Sequence, residues 1–145
     1  MLIDKVLGNI YDDPSDHRRI DRVYLEWYEF DKKLLRKVSE DGEELGICVH
    51  HLHDGDILHS DERKLIVVKL LPCELTVINV DSMKEMGRLC FELGNRHLSL
   101  SIEEGKVSIP YDEPTFEYLK KLDFQPQKIE DKFNNFMVCR GHQHG

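Results

Sequence analysis

Over the first 71 residues the apolar positions come in short runs separated by turn-rich, charged stretches. Val23, Leu25 and Trp27 share one face of an extended segment over 23–28, and comparable runs cover 2–6, 34–38, 45–49, 57–59 and 65–71. A period of two over a few residues predicts strands, because successive side chains of an extended chain point to opposite faces. Asp41-Gly42 lies between two of these runs and is a tight-turn signal that predicts a hairpin. Five or six short strands with no long helical period predict a small all-β domain, built from sheets or closed like a barrel.

The pattern changes after Pro72, a residue that interrupts sheet pairing and stiffens the chain, and so marks the best boundary. Beyond it the sequence predicts a strand over 75–80, a helix over 82–93, strands over 98–102 and 106–109 joined through Glu104-Gly105, a helix over 114–122 and a last strand over 127–133. That order is the split βαββαβ unit of a ferredoxin-like sheet. The predicted fold class is α+β. A β-rich domain spans 1–72, a ferredoxin-like domain spans 73–137, and a flexible histidine-bearing tail covers 138–145.

In the first helix Met83, Met86, Cys90 and Leu93, with Leu89 beside them, recur at three- and four-residue spacing and form one apolar stripe that Ser82 can cap. Gly94 is expected to end the helix by taking the left-handed conformation, which Asn95 also tolerates. His97 then emerges from a short, fixed corner. In the second helix Pro114 suits the first turn, where its missing N–H costs nothing, and Phe116 and Leu119 are spaced to face the sheet.

Composition narrows the class. The 145 residues are 40% hydrophobic and 33% charged, enough apolar content for a core and too polar for a membrane protein. No run of about 18 apolar residues and no signal-peptide pattern occurs, so the expectation is a cytoplasmic protein with no membrane partner. A formal net charge of -8 repels phosphate backbones, argues against a nucleic-acid partner and concentrates cations. The four cysteines, Cys48, Cys73, Cys90 and Cys139, form no CxxC pair. The first three read as reduced, buried small hydrophobes. Cys139 lies in a polar tail three residues before His142, within reach of a shared ion.

Seven of the eight histidines fall into groups of different chemical promise. An imidazole on a rigid corner, as at His97, suits a metal ligand, although one after a helix is also an ordinary capping or surface residue. His142 and His144 stand between glycines near the chain end, where they can move to a metal held elsewhere but cannot preorganise one. His50, His51 and His53, with His59, are the densest cluster and read as a solvated loop leading into the Gly55-Asp56 turn. No nucleophile elbow, phosphate loop or HExxH spacing appears, so the chain is not expected to be an enzyme.

Several motifs agree in order along nearly the whole chain. They are Val6-Leu7-Gly8-Asn9, Gly55-Asp56-Ile57-Leu58, Lys84-Glu85-Met86-Gly87, Gly94-Asn95-Arg96-His97 and the closing Arg140-Gly141-His142-Gln143-His144. Together they resemble the urease accessory nickel chaperone family, nickel-binding proteins of urease maturation. The resemblance implies a metallochaperone that delivers nickel to apo-urease, with His97, His142 and His144 as metal ligands. It also implies an N-terminal peptide- or partner-binding domain and, as partners, the urease apoprotein and its accessory proteins, including the GTPase. Many members of that family carry a longer histidine-rich tail, so the short one here argues against high-capacity nickel storage and leaves delivery intact.

Nitrogen ligands alone do not choose the ion, since zinc or copper can bind the same set in vitro, and the choice of nickel comes from the resemblance. One fixed imidazole per chain binds such an ion poorly. A homodimer brings two His97 rings together on its two-fold axis, and dimers can pair further around a shared metal. The alternative is a peptide-binding assembly protein whose histidines are incidental.

Overall fold

A computed structural model describes residues 1–13, 16 and 18–137. The chain divides into two compact units, Met1–Leu71 and Pro72–Gly145.

In the first unit the strands are β1 (Leu2–Ile3), β2 (Gly8–Asn9), β3 (Arg19–Leu25), β4 (Leu35–Val38), β5 (Glu44–Ile47), β6 (Asp56–Ser60) and β7 (Lys64–Leu70). They form a three-stranded sheet, β1-β5-β4, and a four-stranded sheet, β2-β6-β7-β3. The expected β4–β5 hairpin is present around Asp41-Gly42, with Gly42 at φ 92°. Two pairings are parallel, β3 with β7 and β1 with β5. Leu65, Ile66, Val67 and Val68 of β7 are all buried, the continuous apolar run of a strand covered on both faces. Cys48 is exposed, contrary to the expectation of burial. It falls on the outward position between buried Ile47 and Val49.

Two of the sequence motifs meet in this unit. Asn9 pairs with Asp56 in the β2–β6 ladder, and the Asn9 Nδ2 amide donates to the Asp56 carboxylate at 3.1 Å and to the Asp54 carbonyl at 2.9 Å. Gly55 sits at φ 87° with the Tyr11 ring against it, where a Cβ would lie 2.5 Å from Tyr11 Cε2. Glycine is required there by both backbone and space. Asp21 is fully buried, yet its carboxylate accepts from the Ser39 hydroxyl (2.8 Å), the Asp41 N–H (3.0 Å) and Lys64 Nζ (3.0 Å). Burial works to raise its pKa, and these donors outweigh that and hold it below the ordinary carboxylate value.

The second unit contains β8 (Cys73–Asn79), α1 (Met83–Asn95), β9 (Ser101–Glu103), β10 (Lys106–Pro110), α2 (Glu113–Lys121) and β11 (Pro126–Asp131). The sheet order is β11-β8-β10-β9 and every pairing is antiparallel, the ferredoxin-like arrangement. Ile78, Val80, Val107 and Ile109 alternate onto one face and pack with Leu89 and Leu93 of α1 and Leu119 of α2. The class is α+β, as the pattern predicts.

Several local expectations shift. Met83 is 91% exposed and does not belong to the core stripe. The buried side of α1 is Leu89 and Leu93, with Met86 and Cys90 half-buried beside them. Phe116 is half-buried, and Leu119 is the residue of α2 that reaches the core. The last strand ends at Asp131 rather than at 133, and Phe133, only 1% exposed, belongs to the segment that follows it. The expected strand over 98–102 begins at Ser101, with Leu100 in a single bridge to Met137.

Candidate metal centre

His97 owes its position to the way α1 ends. Ser82 Oγ accepts from the Glu85 N–H at 3.1 Å and caps the start of the helix, as expected. At the other end α1 runs through Gly94 to Asn95, with Arg96 as its cap residue. Gly94 does not take the left-handed conformation; His97 does, at φ 56°. The His97 N–H donates to the Gly94 carbonyl (3.0 Å) and the Leu98 N–H to the Leu93 carbonyl (3.4 Å). These are the two bonds of a Schellman closure, with histidine in the position usually held by glycine. α2 closes in the same way through Asp123 at φ 68°, an aspartate, whose short polar side chain helps it tolerate that region. The imidazole is exposed and its backbone is fixed on both sides.

The corner is also tied to α2. Arg96 Nε donates to Thr115 Oγ1 at 3.3 Å, and the Thr115 hydroxyl donates to Asp112 Oδ2 at 2.6 Å. The Arg96 guanidinium lies 4.9 Å from the centroid of the Tyr118 ring, and the Tyr118 hydroxyl donates to Glu92 Oε2 at 2.8 Å. That hydrogen bond and the burial of Tyr118 raise the phenol's pKa, so the donor keeps its proton. Arg96, Thr115 and Tyr118 were not singled out by sequence reasoning. The signal available was Arg96 in the corner motif, whose partners lie 19 and 22 residues downstream across a helix-to-helix contact.

The described chain ends beside the same corner. Leu100 and Met137 exchange backbone hydrogen bonds of 3.0 and 2.7 Å. Met137 is thereby held next to a residue three positions after His97. His142, His144 and Cys139 lie outside the described residues. The other described histidines stay dispersed, and His17 lies outside the described residues. His53 Nδ1 is 3.9 Å from Asp56 Oδ2, His59 Nε2 is 3.0 Å from Asp61 Oδ2, and the His50 and His51 ring centroids are 6.4 Å apart. Among the described residues no group of three or more His, Cys, Asp or Glu side chains could hold a metal ion. The described part of one chain therefore presents His97 as an exposed imidazole at a rigid corner.

Comparison with known proteins decides the family. A model of the UreE urease accessory protein N-terminal domain matches residues 3–71, and one of its C-terminal domain matches residues 73–145. The chain belongs to the UreE urease accessory protein family. The urease accessory protein UreE of Bifidobacterium longum subsp. infantis is 46% identical over 144 residues, which cover 98% of this chain and 65% of that protein. The chain thus spans slightly under two thirds of that relative's length. The UreE proteins of Acetivibrio thermocellus and Geobacillus kaustophilus are 38% and 37% identical, with 100% and 99% of this chain covered and 95% and 99% of theirs. UreE proteins are named accessory proteins of urease, and the chain is not an enzyme. Among the described residues no helix is long and apolar enough to cross a membrane.

Proposed function

We propose that this chain is a nickel metallochaperone that delivers nickel to apo-urease during maturation of the urease metallocentre. The observation that carries this reading is the left-handed, exposed His97 at a hydrogen-bonded corner, with the end of the described chain clamped beside it. A single imidazole is a weak site, so the working unit is a homodimer in which two His97 rings meet at the two-fold axis. His142 and His144 complete the coordination. Fixed rings capture the ion, while the tail ligands dissociate first and let it pass on.

The family supports the urease connection, and the choice of nickel rests on the motif resemblance to the nickel chaperones. The N-terminal domain, over 1–72, binds a peptide or partner. The partners are the urease apoprotein and its accessory proteins, including the GTPase, in the cytoplasm, and dimers pair further around a shared metal. Zinc or copper bind the same ligands in vitro, as expected of borderline ions with imidazole.

Calorimetric titration with nickel, run beside a sizing column, tests the proposal. Wild type should be dimeric and bind about one tight ion per dimer, as expected for a shared two-fold site. His97→Ala should lose that site and keep its fold. A monomer with no specific heat of nickel binding would leave the incidental-histidine alternative in its place.

A further inference from the structure

The back of the ferredoxin-like sheet carries a feature that metal ligation alone does not require. β11 and β9 are the two edges of the sheet, separated by three inter-strand steps, or about 14 Å. The chain leaves β11 at Asp131 and is paired beside β9 at Met137. Six residues span about 20 Å at full extension, so most of the length of 132–137 is spent crossing the sheet.

The crossing runs over the face opposite α1 and α2. Phe133 is 1% exposed and stacks on Phe136, with ring centroids 4.7 Å apart and planes 10° from parallel. Residues 132–135 share a cavity of about 100 Å³ with Leu75, Val77, Ser101 and Ser108, the side chains that alternate away from the helices. At the far end the Leu100–Met137 bridge is made by backbone alone, and the Met137 side chain is 60% exposed.

We propose that residues 132–137 are a strap that positions the tail histidines at the His97 corner, with Phe133 as its anchor and the Leu100–Met137 bridge as its clamp. The proposal rests on the assignment of His142 and His144 as ligands. Paired strands hold Cα atoms about 5 Å apart, and three residues span at most about 11 Å, so Met137 lies within roughly 16 Å of His97. Five residues from Met137 to His142 span about 17 Å, which is just sufficient. Without the strap the tail is rooted at Asp131 on the far edge, and His142 is eleven residues from its anchor instead of five. Effective concentration falls with about the −3/2 power of tether length, so nickel affinity should drop by about threefold or more.

The test uses the full chain and a chromophoric chelator competing for nickel. Met137→Pro removes the bridge donor at an exposed position and should weaken nickel binding at least about threefold, towards the value of a chain lacking 141–145. Phe133→Ala should do the same, and Phe133→Leu should restore wild-type affinity. In the chain lacking 141–145, Met137→Pro should have no further effect, which separates positioning from general destabilisation. If Phe133→Ala fails to fold, Met137→Pro carries the test alone. Wild-type affinity in Met137→Pro, with weakened binding in the deletion, overturns the strap and leaves the ligand assignment standing. Unchanged binding in the deletion itself overturns the tail ligands, and the strap with them.

Discussion

Glycine at position 97 should give a more stable protein than alanine, although both remove the same imidazole. His97 occupies the left-handed position of the helix closure, at φ 56°. A residue with a Cβ is strained there by about 1–2 kcal/mol. Glycine relieves that strain and gives back about 0.4–1 kcal/mol through its greater freedom in the unfolded chain. The net advantage of His97→Gly over His97→Ala is roughly 0.5–1 kcal/mol. Any contact of the imidazole is lost equally in both variants and cancels. A cooperative unit of 60–100 residues shifts by about 4–8 °C per kcal/mol, so the melting temperatures should differ by about 2–8 °C. Urea unfolding followed by circular dichroism should show a higher midpoint for His97→Gly with an unchanged slope. Nickel binding should fall to the same level in both. An alanine variant as stable as the glycine one would refute the left-handed closure, and with it the claim that histidine sits there against the preference of the backbone.

Gly55→Ala should cost about 2 kcal/mol or more, since it adds left-handed strain and drives the Tyr11 ring from its seat. Combining it with Tyr11→Ala should recover the steric part, and urea denaturation measures both. Tyr118→Phe deletes the hydroxyl bond to Glu92 and should cost about 0.5–1.5 kcal/mol while leaving Arg96 its aromatic neighbour. The larger loss of nickel affinity is expected from Arg96→Ala, which frees the His97 corner from α2. Asp61 accepts from the N–H groups of Lys64 and Arg63 and from the ring of His59, which hold its pKa at about 2, below the ordinary 3.8. A depressed carboxylate stabilises the fold above its unfolded pKa, and that stability disappears as the pH falls from about 4 to 2. Asp61→Asn should flatten the acid limb of the unfolding curve, and an unchanged limb would contradict the assignment.

Element types were legible in the sequence where local pattern decides them. The βαββαβ order, the Asp41-Gly42 hairpin and the Ser82 cap each depend on a few adjacent residues. The parallel β3–β7 and β1–β5 pairings were not, because they join segments far apart in the chain and no turn signal announces them. The end of α1 departs from the sequence expectation for a physical reason. Gly94-Asn95 satisfies the usual rule for a helix stop, yet Leu93 offers its carbonyl to Leu98, and the closure falls on His97. His97 could be read as a candidate from its corner, while the role of Arg96 depends on Thr115 and Tyr118 in another helix. Phe133 looked like the last apolar position of a strand. Only the structure reveals it as the plug beneath the sheet.

Crystals grown with nickel, with the ion located by its anomalous scattering, test the central claim most directly. The account predicts a peak on a two-fold axis between the His97 rings of two copies, with imidazole nitrogens of the tail completing the coordination. A peak at the His50–His53 loop and none at His97 would contradict it.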